Sequence, residues 1–241
     1  MSLGGLVLGQ YRFERKMFWR NPSAAFFTFA LPLLFFVLIA SVFSTDSDEL
    51  EVLVPGIAGM SIVGATFTAL SYYLVQLREN GILKRVQGSP MPASAYLAGL
   101  LASAVANAFV SVLVVVAVGR LGYGMDANLD VLELLVFTTL GVIAFGGLGV
   151  AFAFVIPNAD SAPAYVNAVF LPLIFISGVF YSADDLPPVL DAIARALPLK
   201  HVIDGLSGAL VTGTWPAGAL LVLGVWCVAG VVAALRLFRW E

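Results

Sequence analysis

Residues 94–119 read SAYLAGLLASAVANAFVSVLVVVAVG, a run with no charged side chain and no alternation of polar and apolar positions. A helix rises about 1.5 Å per residue and the hydrocarbon core of a bilayer is about 30 Å thick, so about 20 apolar residues cross it. The run exceeds that length. Membrane β-strands need alternation, which is missing, so the run predicts a transmembrane helix. Five more stretches share its character: residues 24–43, 55–77, 131–156, 164–181 and 215–235. Together they predict an all-α integral membrane fold, a single transmembrane domain over residues 1–241 with six spanning helices. The fifth stretch is the shortest and holds Pro172, which predicts a kinked or broken helix.

Composition points the same way. Of 241 residues, 61% are hydrophobic and 11% charged, where soluble domains carry about 45–50% and about 25%. A core of this size cannot hide that excess, so lipid must solvate it. The single cysteine, Cys227, and single histidine, His201, leave no disulfide framework and no multi-histidine metal site within one chain. A net charge of −3 offers nucleic acid no attraction. The first ten residues lack the basic flank and apolar core of a cleavable signal.

Orientation follows from the basic residues. With the N-terminus inside and six crossings, nine of the twelve lysines and arginines lie inside: Arg12, Arg15, Lys16, Arg20, Arg78, Lys84, Arg85, Arg236 and Arg239. Arg120, Arg195 and Lys200 remain outside. Both termini are therefore expected to be cytoplasmic, in a multi-pass protein of the plasma (inner) membrane.

Three segments outside the spans have their own character. Residues 8–20 interleave aromatic and basic side chains, among them Arg12, Arg15, Lys16, Phe18, Trp19 and Arg20, and predict a helix lying on the inner membrane face. An ordinary juxtamembrane anchor would read similarly. Asn21-Pro22 then ends it and opens the first span as cap and first-turn proline. Between the fifth and sixth spans, about 185–212, Asp184-Asp185-Leu186-Pro187-Pro188 opens one short amphipathic helix and Pro198 opens a second. Both are expected to dip into, or lie on, the outer interface. In the loop between the second and third spans, a helix over about 79–86 would carry Ile82, Leu83 and Val86 on one side and Lys84 and Arg85 on another. Such an element can plug into a groove on a soluble partner.

The chemistry of the chain is mild. No stretch reads GxxxxGK[ST], so ATP hydrolysis is not expected of it. Gly205-Leu206-Ser207-Gly208 with His201 nearby superficially resembles an intramembrane-protease motif. A six-residue offset, however, sets the histidine and serine on opposite sides of a helix, which favours a small-residue packing surface. Ion-coupled carriers place ionisable groups at mid-membrane, and here Glu133, two residues into its helix, comes closest. Helix–helix hydrogen bonding accounts for any one of the mid-membrane Thr, Ser and Asn residues. Collectively, a path along Thr66, Tyr72, Asn167, Phe175, Ser177 and Phe180 would suit an apolar or amphipathic cargo.

The loop also carries a resemblance. Arg78, Glu79, Gly81, Lys84, Arg85, Pro90, Tyr96, Leu97 and Gly99 match, position by position, the coupling-helix pattern of type-2 ABC exporter permeases. Leu100 departs from it, where many members have lysine. Trp19-Arg20-Asn21-Pro22 with Pro32 is similar to the family's connecting helix and first span. The stretch from Ile176-Ser177-Gly178 through Leu197-Pro198-Leu199-Lys200-His201 is similar to its outer re-entrant helices. The resemblance implies a permease without catalytic residues of its own, paired with a second copy or a related permease in membrane lipid. ATP and Mg would be bound by a separate nucleotide-binding ATPase subunit. It further implies that Arg78, Glu79, Gly81, Ile82, Leu83, Lys84, Arg85 and Pro90 couple to that subunit, and that a drug-like or lipid-like molecule is moved outward. A non-transport scaffold or assembly subunit of a larger complex is the alternative.

Overall fold

In the computed structural model, residues 2–43, 47–126, 128–181 and 187–240 are described. Among them every regular element is helical. Helix α1 (Leu3–Trp19) precedes the bundle. The first crossing is α2 (Pro22–Ala25), a π-helical stretch at Phe26–Ala30 and α3 (Leu31–Phe43). The second is α4 (Ser47–Val63), a π-helical stretch at Gly64–Thr68 and α5 (Ala69–Glu79), followed by the short α6 (Ile82–Gln87). Then come α7 (Ala93–Tyr123), α8 (Val131–Ala153), α9 (Ala162–Ile176), α10 (Pro188–Ala196), α11 (Pro198–Ser207) running into a third π-helical stretch at Gly208–Thr212, and α12 (Ala217–Leu237).

Five crossings are long and apolar enough to span a bilayer: Pro22–Val42, Glu49–Glu79, Ala93–Tyr123, Val131–Ala153 and Ala217–Leu237. The second starts before Pro55, which lies inside α4 rather than at its head. The fifth predicted span differs. Its helix, α9, has 15 residues, about 22 Å of rise against a core of about 30 Å. It runs through Pro172, and the chain turns at Gly178, whose φ of 75° suits a residue without a side chain. A Cβ on Gly56 would collide with the Val179 carbonyl, so the turn seats its backbone directly on α4.

The two short helices that follow behave differently from each other. Val189, Leu190 and Ile193 of α10 point outward, as on a helix resting at a lipid surface. Helix α11 enters the bundle: Leu199, Val202 and Leu206 are fully buried, and it packs against α4, α8 and α12. Glycines on three helices make room, with Gly59 facing Ile203, Gly141 facing Val202 and Gly205 facing the Phe137 ring. The Asp184-Asp185-Leu186 opening of this region lies outside the described residues.

Helix α8 is the hub. It packs on α4, α5, α7, α11 and α12. Against α12 it comes so close that a Cβ on Gly147 would lie 2.6 Å from the Gly230 carbonyl oxygen. Against the second crossing, a Cβ on Gly149 would lie 2.8 Å from the Phe67 carbonyl oxygen, and Ser71 Oγ donates to the Gly149 carbonyl at 3.0 Å. The π-helical stretches shift carbonyls out of register, and neighbours take them up. Ser111 Oγ donates to Thr28 O (3.2 Å), while the Asn128 and Asp130 amides donate to Leu210 O and Ala209 O, each at 2.9 Å.

Helix α1 lies along α7. A Cβ on Gly99 would stand 2.6 Å from Gln10 Cβ, so the glycine admits the helix. Beneath it Glu14, 5% exposed, accepts from Gln10 Nε2 at 2.6 Å and from the Tyr73 hydroxyl. Burial pushes the Glu14 carboxyl above its ordinary range, and those two hydrogen bonds only partly offset it. Arg15 Nη1 donates to Asn107 Oδ1 at 2.6 Å, a polar tie to α7.

Two expectations follow. Gly147→Ala should lower the melting temperature in detergent by an overpacking cost of about 1–3 kcal/mol. Gly224→Ala on α12, where the new methyl meets open space, should leave it unchanged or raise it through helix propensity. Glu14 holds its proton more tightly folded than unfolded, so its contribution to stability is full below the ordinary carboxylate range and is lost as pH rises through the raised value. Glu14→Gln should therefore raise the melting temperature at pH 8, with the gain shrinking towards pH 4.

Candidate functional site

The loop after α5 owes its shape to Asn80-Gly81. Asn80 ends the helix with its amide on Gln76 O (3.0 Å) and its side-chain Nδ2 on the same oxygen (2.9 Å). Gly81, at φ 67°, reverses the chain so that α6 starts at once. Ser89 Oγ closes the far end on Val86 O at 2.6 Å.

Two side chains at the end of α5 fix this loop to the bundle. The Arg78 guanidinium donates to Ala153 O (3.1 Å), Ile156 O (2.6 Å) and Pro157 O (3.2 Å), and lies 5.8 Å from the Phe154 ring centre. These carbonyls sit where α8 ends, and a cation there satisfies both unpaired acceptors and the helix dipole. Glu79 Oε2 accepts from the Ala159 amide at 2.8 Å, just before α9 begins. The half-buried Arg78 and the exposed Glu79 thus join α5 to the α8–α9 connection.

Helix α6 divides its residues. Leu83 is fully buried and anchors the helix, so it does not share an outward face with Ile82 as its position suggested. Ile82 is 37% exposed, Lys84, Arg85 and Pro90 are exposed, and Val86 is half-buried. What α6 presents outward is one aliphatic side chain beside two cations.

The C-terminal tail joins the same end of the bundle. Phe238 lies 5.5 Å from Phe154, 6.2 Å from Tyr96 and 4.9 Å from Trp240, and Trp240 lies 5.6 Å from Tyr96. An aromatic cluster therefore connects the ends of α8 and α12 to the start of α7, with Arg78 against Phe154. The aromatic–basic alternation Phe238-Arg239-Trp240 was the available signal for it. On α1, Arg12, Lys16, Trp19 and Arg20 are exposed, and Phe18 and Trp19 pack on Phe29 at 5.6 and 5.8 Å. Arg15 is half-buried and points at Asn107.

The expected path residues do not converge. Thr66 is buried, its hydroxyl donating to Ile62 O at 2.6 Å, and Ser177 is buried beneath the turn after α9. Tyr72 is half-buried on α5. Asn167 and Phe175 are exposed on α9, and the half-buried Phe180 packs on Phe175 at 5.7 Å. His201 is engaged by the Arg195 carbonyl (2.8 Å) and the Asp204 carboxylate (3.8 Å) rather than by Ser207. Glu133 is fully buried against Gly208, and neither carboxyl oxygen has a hydrogen-bond partner among the described residues. Asp130 caps the helix just before it, its Oδ1 accepting from the Glu133 amide at 3.0 Å, which holds the Asp130 carboxyl below its ordinary range.

Comparison with known proteins places this arrangement. Residues 10–211 match the family model described as ABC-2 type transporter. The chain is 28% identical over 229 residues to the daunorubicin resistance ABC transporter permease protein DrrB1 of Streptomyces coeruleorubidus, covering 87% of this chain and 77% of that protein. It is 34% identical over 93 residues to Nodulation protein J of Rhizobium leguminosarum bv. viciae, covering 39% of this chain and 36% of that protein. To the probable multidrug ABC transporter permease YbhS of Escherichia coli (strain K12) it is 22% identical over 179 residues, covering 74% and 47%. The match thus spans less than half the length of the latter two relatives. The family match runs from the buried face of α1 through α6 to the end of α11, and this multi-pass membrane chain belongs to the ABC-2 type transporter membrane family.

Proposed function

We propose that the chain is the permease half of an ATP-driven exporter, with α6 as the element that receives motion from a separate nucleotide-binding subunit. The observation that carries this reading is the division of labour at residues 78–85. Arg78 and Glu79 lock the loop to α8 and α9, Leu83 anchors α6, and Ile82, Lys84 and Arg85 are left facing outward. A push on α6 would then move α5, the end of α8 and the start of α9 together, because charge-assisted bonds and not a loose linker connect them. ATP and Mg would be bound by the partner, and the work would come from its closure.

The membrane side fits a pair. Tyr165, Asn167, Val169, Leu171 and Phe175 leave α9 with an uncovered, mostly apolar face, which a second copy or a related permease would cover, completing a path between them. Such a wall favours a hydrophobic or amphipathic cargo moved outward, in keeping with the drug-resistance and multidrug names of two relatives. The basic residues Arg12, Lys16, Arg20, Lys84, Arg85, Arg236 and Arg239 are exposed at the α6 end of the bundle, so that end is assigned to the cytoplasm, with both termini, in the plasma membrane.

Arg85→Glu should cut copurification of the ATPase subunit, or its coupled ATP hydrolysis, about tenfold or more, as losing a rim charge pair and gaining a like-charge clash would. Its melting temperature should match that of the parent. Arg78→Gln should lose coupling and in addition about 1.5–3 kcal/mol of stability, since carbonyls at the α8 end lose a charged donor. Pull-down, ATPase assay and thermal unfolding on the same preparations separate the two. Full coupled hydrolysis in Arg85→Glu would move the weight to a scaffold role.

A further inference from the structure

Where α1 lies along α7, an open apolar groove of about 430 Å³ is lined by Leu3, Gly4, Val7, Leu8 and Tyr11 of α1 and by Ala102 of α7. That volume falls within the roughly 300–1,000 Å³ of small-molecule sites, and no charged side chain lines it. The cations begin one turn further on. Arg12 follows Leu8, and Arg15 follows Tyr11, at the four-residue step that makes side chains neighbours on a helix. Lys16 and Arg20 continue the Leu8–Arg12 row, and all four residues of that row are exposed. None of Arg12, Arg15, Lys16 and Arg20 makes an ion pair among the described residues. Arg15 gives one N–H to Asn107 Oδ1 and lies 5.7 Å from the Trp19 ring centre, and its other donors meet no acceptor among the described residues. The only acid on the helix, Glu14, is turned away onto Gln10 and Tyr73. Helix α1 therefore carries an uncompensated positive edge directly beyond an apolar groove.

We propose that this flank of α1 binds an anionic phospholipid, with an acyl chain in the groove and the phosphate held by Arg12 and Arg15. A groove alone would take any acyl chain, and cations alone would take any anion. Their separation, about 6 Å of helix rise from Leu8 to Arg12, puts chain and phosphate within the span of one molecule. A guanidinium presents a fork of donors that matches phosphate oxygens, and Lys16 adds a point charge on the next turn. Charge then decides among phospholipids. A zwitterionic head group brings its own ammonium, which competes with these cations for the phosphate, whereas phosphatidylglycerol or cardiolipin leaves its negative charge uncompensated. An acidic surface on a soluble partner would answer the cations but leave the groove uncovered. The binding needs only a bilayer around α1, so it goes beyond the transport reading and can fail without it.

The test uses the full chain in detergent, titrated with phosphatidylglycerol and with phosphatidylcholine of identical acyl chains, with bound lipid counted by native mass spectrometry. Phosphatidylglycerol should bind about tenfold tighter or more, and Arg12→Gln should cut that preference about fivefold, as removing one cation beside an anionic lipid would. Ala102→Phe, which fills the groove, should weaken both lipids and keep their ratio. Arg236→Gln, an exposed cation on α12 outside this flank, should leave the preference unchanged. Glycerol phosphate, the head group without chains, should not compete. Equal affinity for the two lipids, a loss in Arg236→Gln as large as that in Arg12→Gln, undiminished binding in Ala102→Phe, or competition by glycerol phosphate would overturn the proposal. So would unchanged lipid binding in the Arg12→Gln, Lys16→Gln double variant with its melting temperature intact. If the ATPase subunit then no longer copurifies, the cations serve a protein partner instead.

Discussion

Hydrocarbon offers backbone groups no water to bond with, so every departure from the regular helix must be answered by a neighbour. That constraint organises this bundle around α8. Its small residues let α12 and the second crossing approach to backbone distance, and close approach is what lets Ser71 reach the Gly149 carbonyl. The same rule explains the 128–130 loop, whose amides serve the carbonyls displaced by the π-helical stretch after α11. It also explains why the turn at Gly178 lies on Gly56: irregular backbone is tolerated there because protein, and not lipid, surrounds it.

At the α6 end the answer is a charge. Where α8 stops, its last carbonyls would face an interface of varying wetness, and Arg78 takes three acceptors there at once. A planar guanidinium can do this where a lysine ammonium could not match the fork geometry. With Glu79 on the Ala159 amide and the aromatic tail on Phe154, the ends of α5, α8 and α12 and the start of α7 behave as one solid corner. A short helix mounted on such a corner would transmit a displacement. Mounted on a flexible loop, it would absorb it.

Much of this was legible in the residues themselves. The charge-free run 94–119 became α7, and 131–156 became α8 with three residues trimmed. Proline placement found the starts of α10 and α11. The misses have physical causes. Hydropathy cannot see that α9 stops at Ile176, because the residues beyond it remain apolar while the backbone turns. The π-helical stretches FFTFA, GATFT and GALVT look like ordinary helix, and the donors that reach the Thr28, Ala209 and Leu210 carbonyls come from distant parts of the chain. Arg78 sits at a motif position but spends its donors inward, and spacing along a chain does not disclose where a long side chain turns. Nor does it disclose that Arg15 meets Asn107. Leu83 and Ile82 are adjacent, and only the packing of α6 on its own bundle tells buried anchor from exposed tip.

The shortness of α9 has a consequence for the lipid around it. A wall about 8 Å shorter than the hydrocarbon core creates a hydrophobic mismatch, which a bilayer relieves by thinning locally at a cost of fractions of a kcal/mol per Å. The amphipathic α10, lying with Val189 and Ile193 outward beside that wall, is placed to hold the thinned leaflet in register. A bilayer thinned at this flank would present a shorter apolar crossing than the rest of the bundle does.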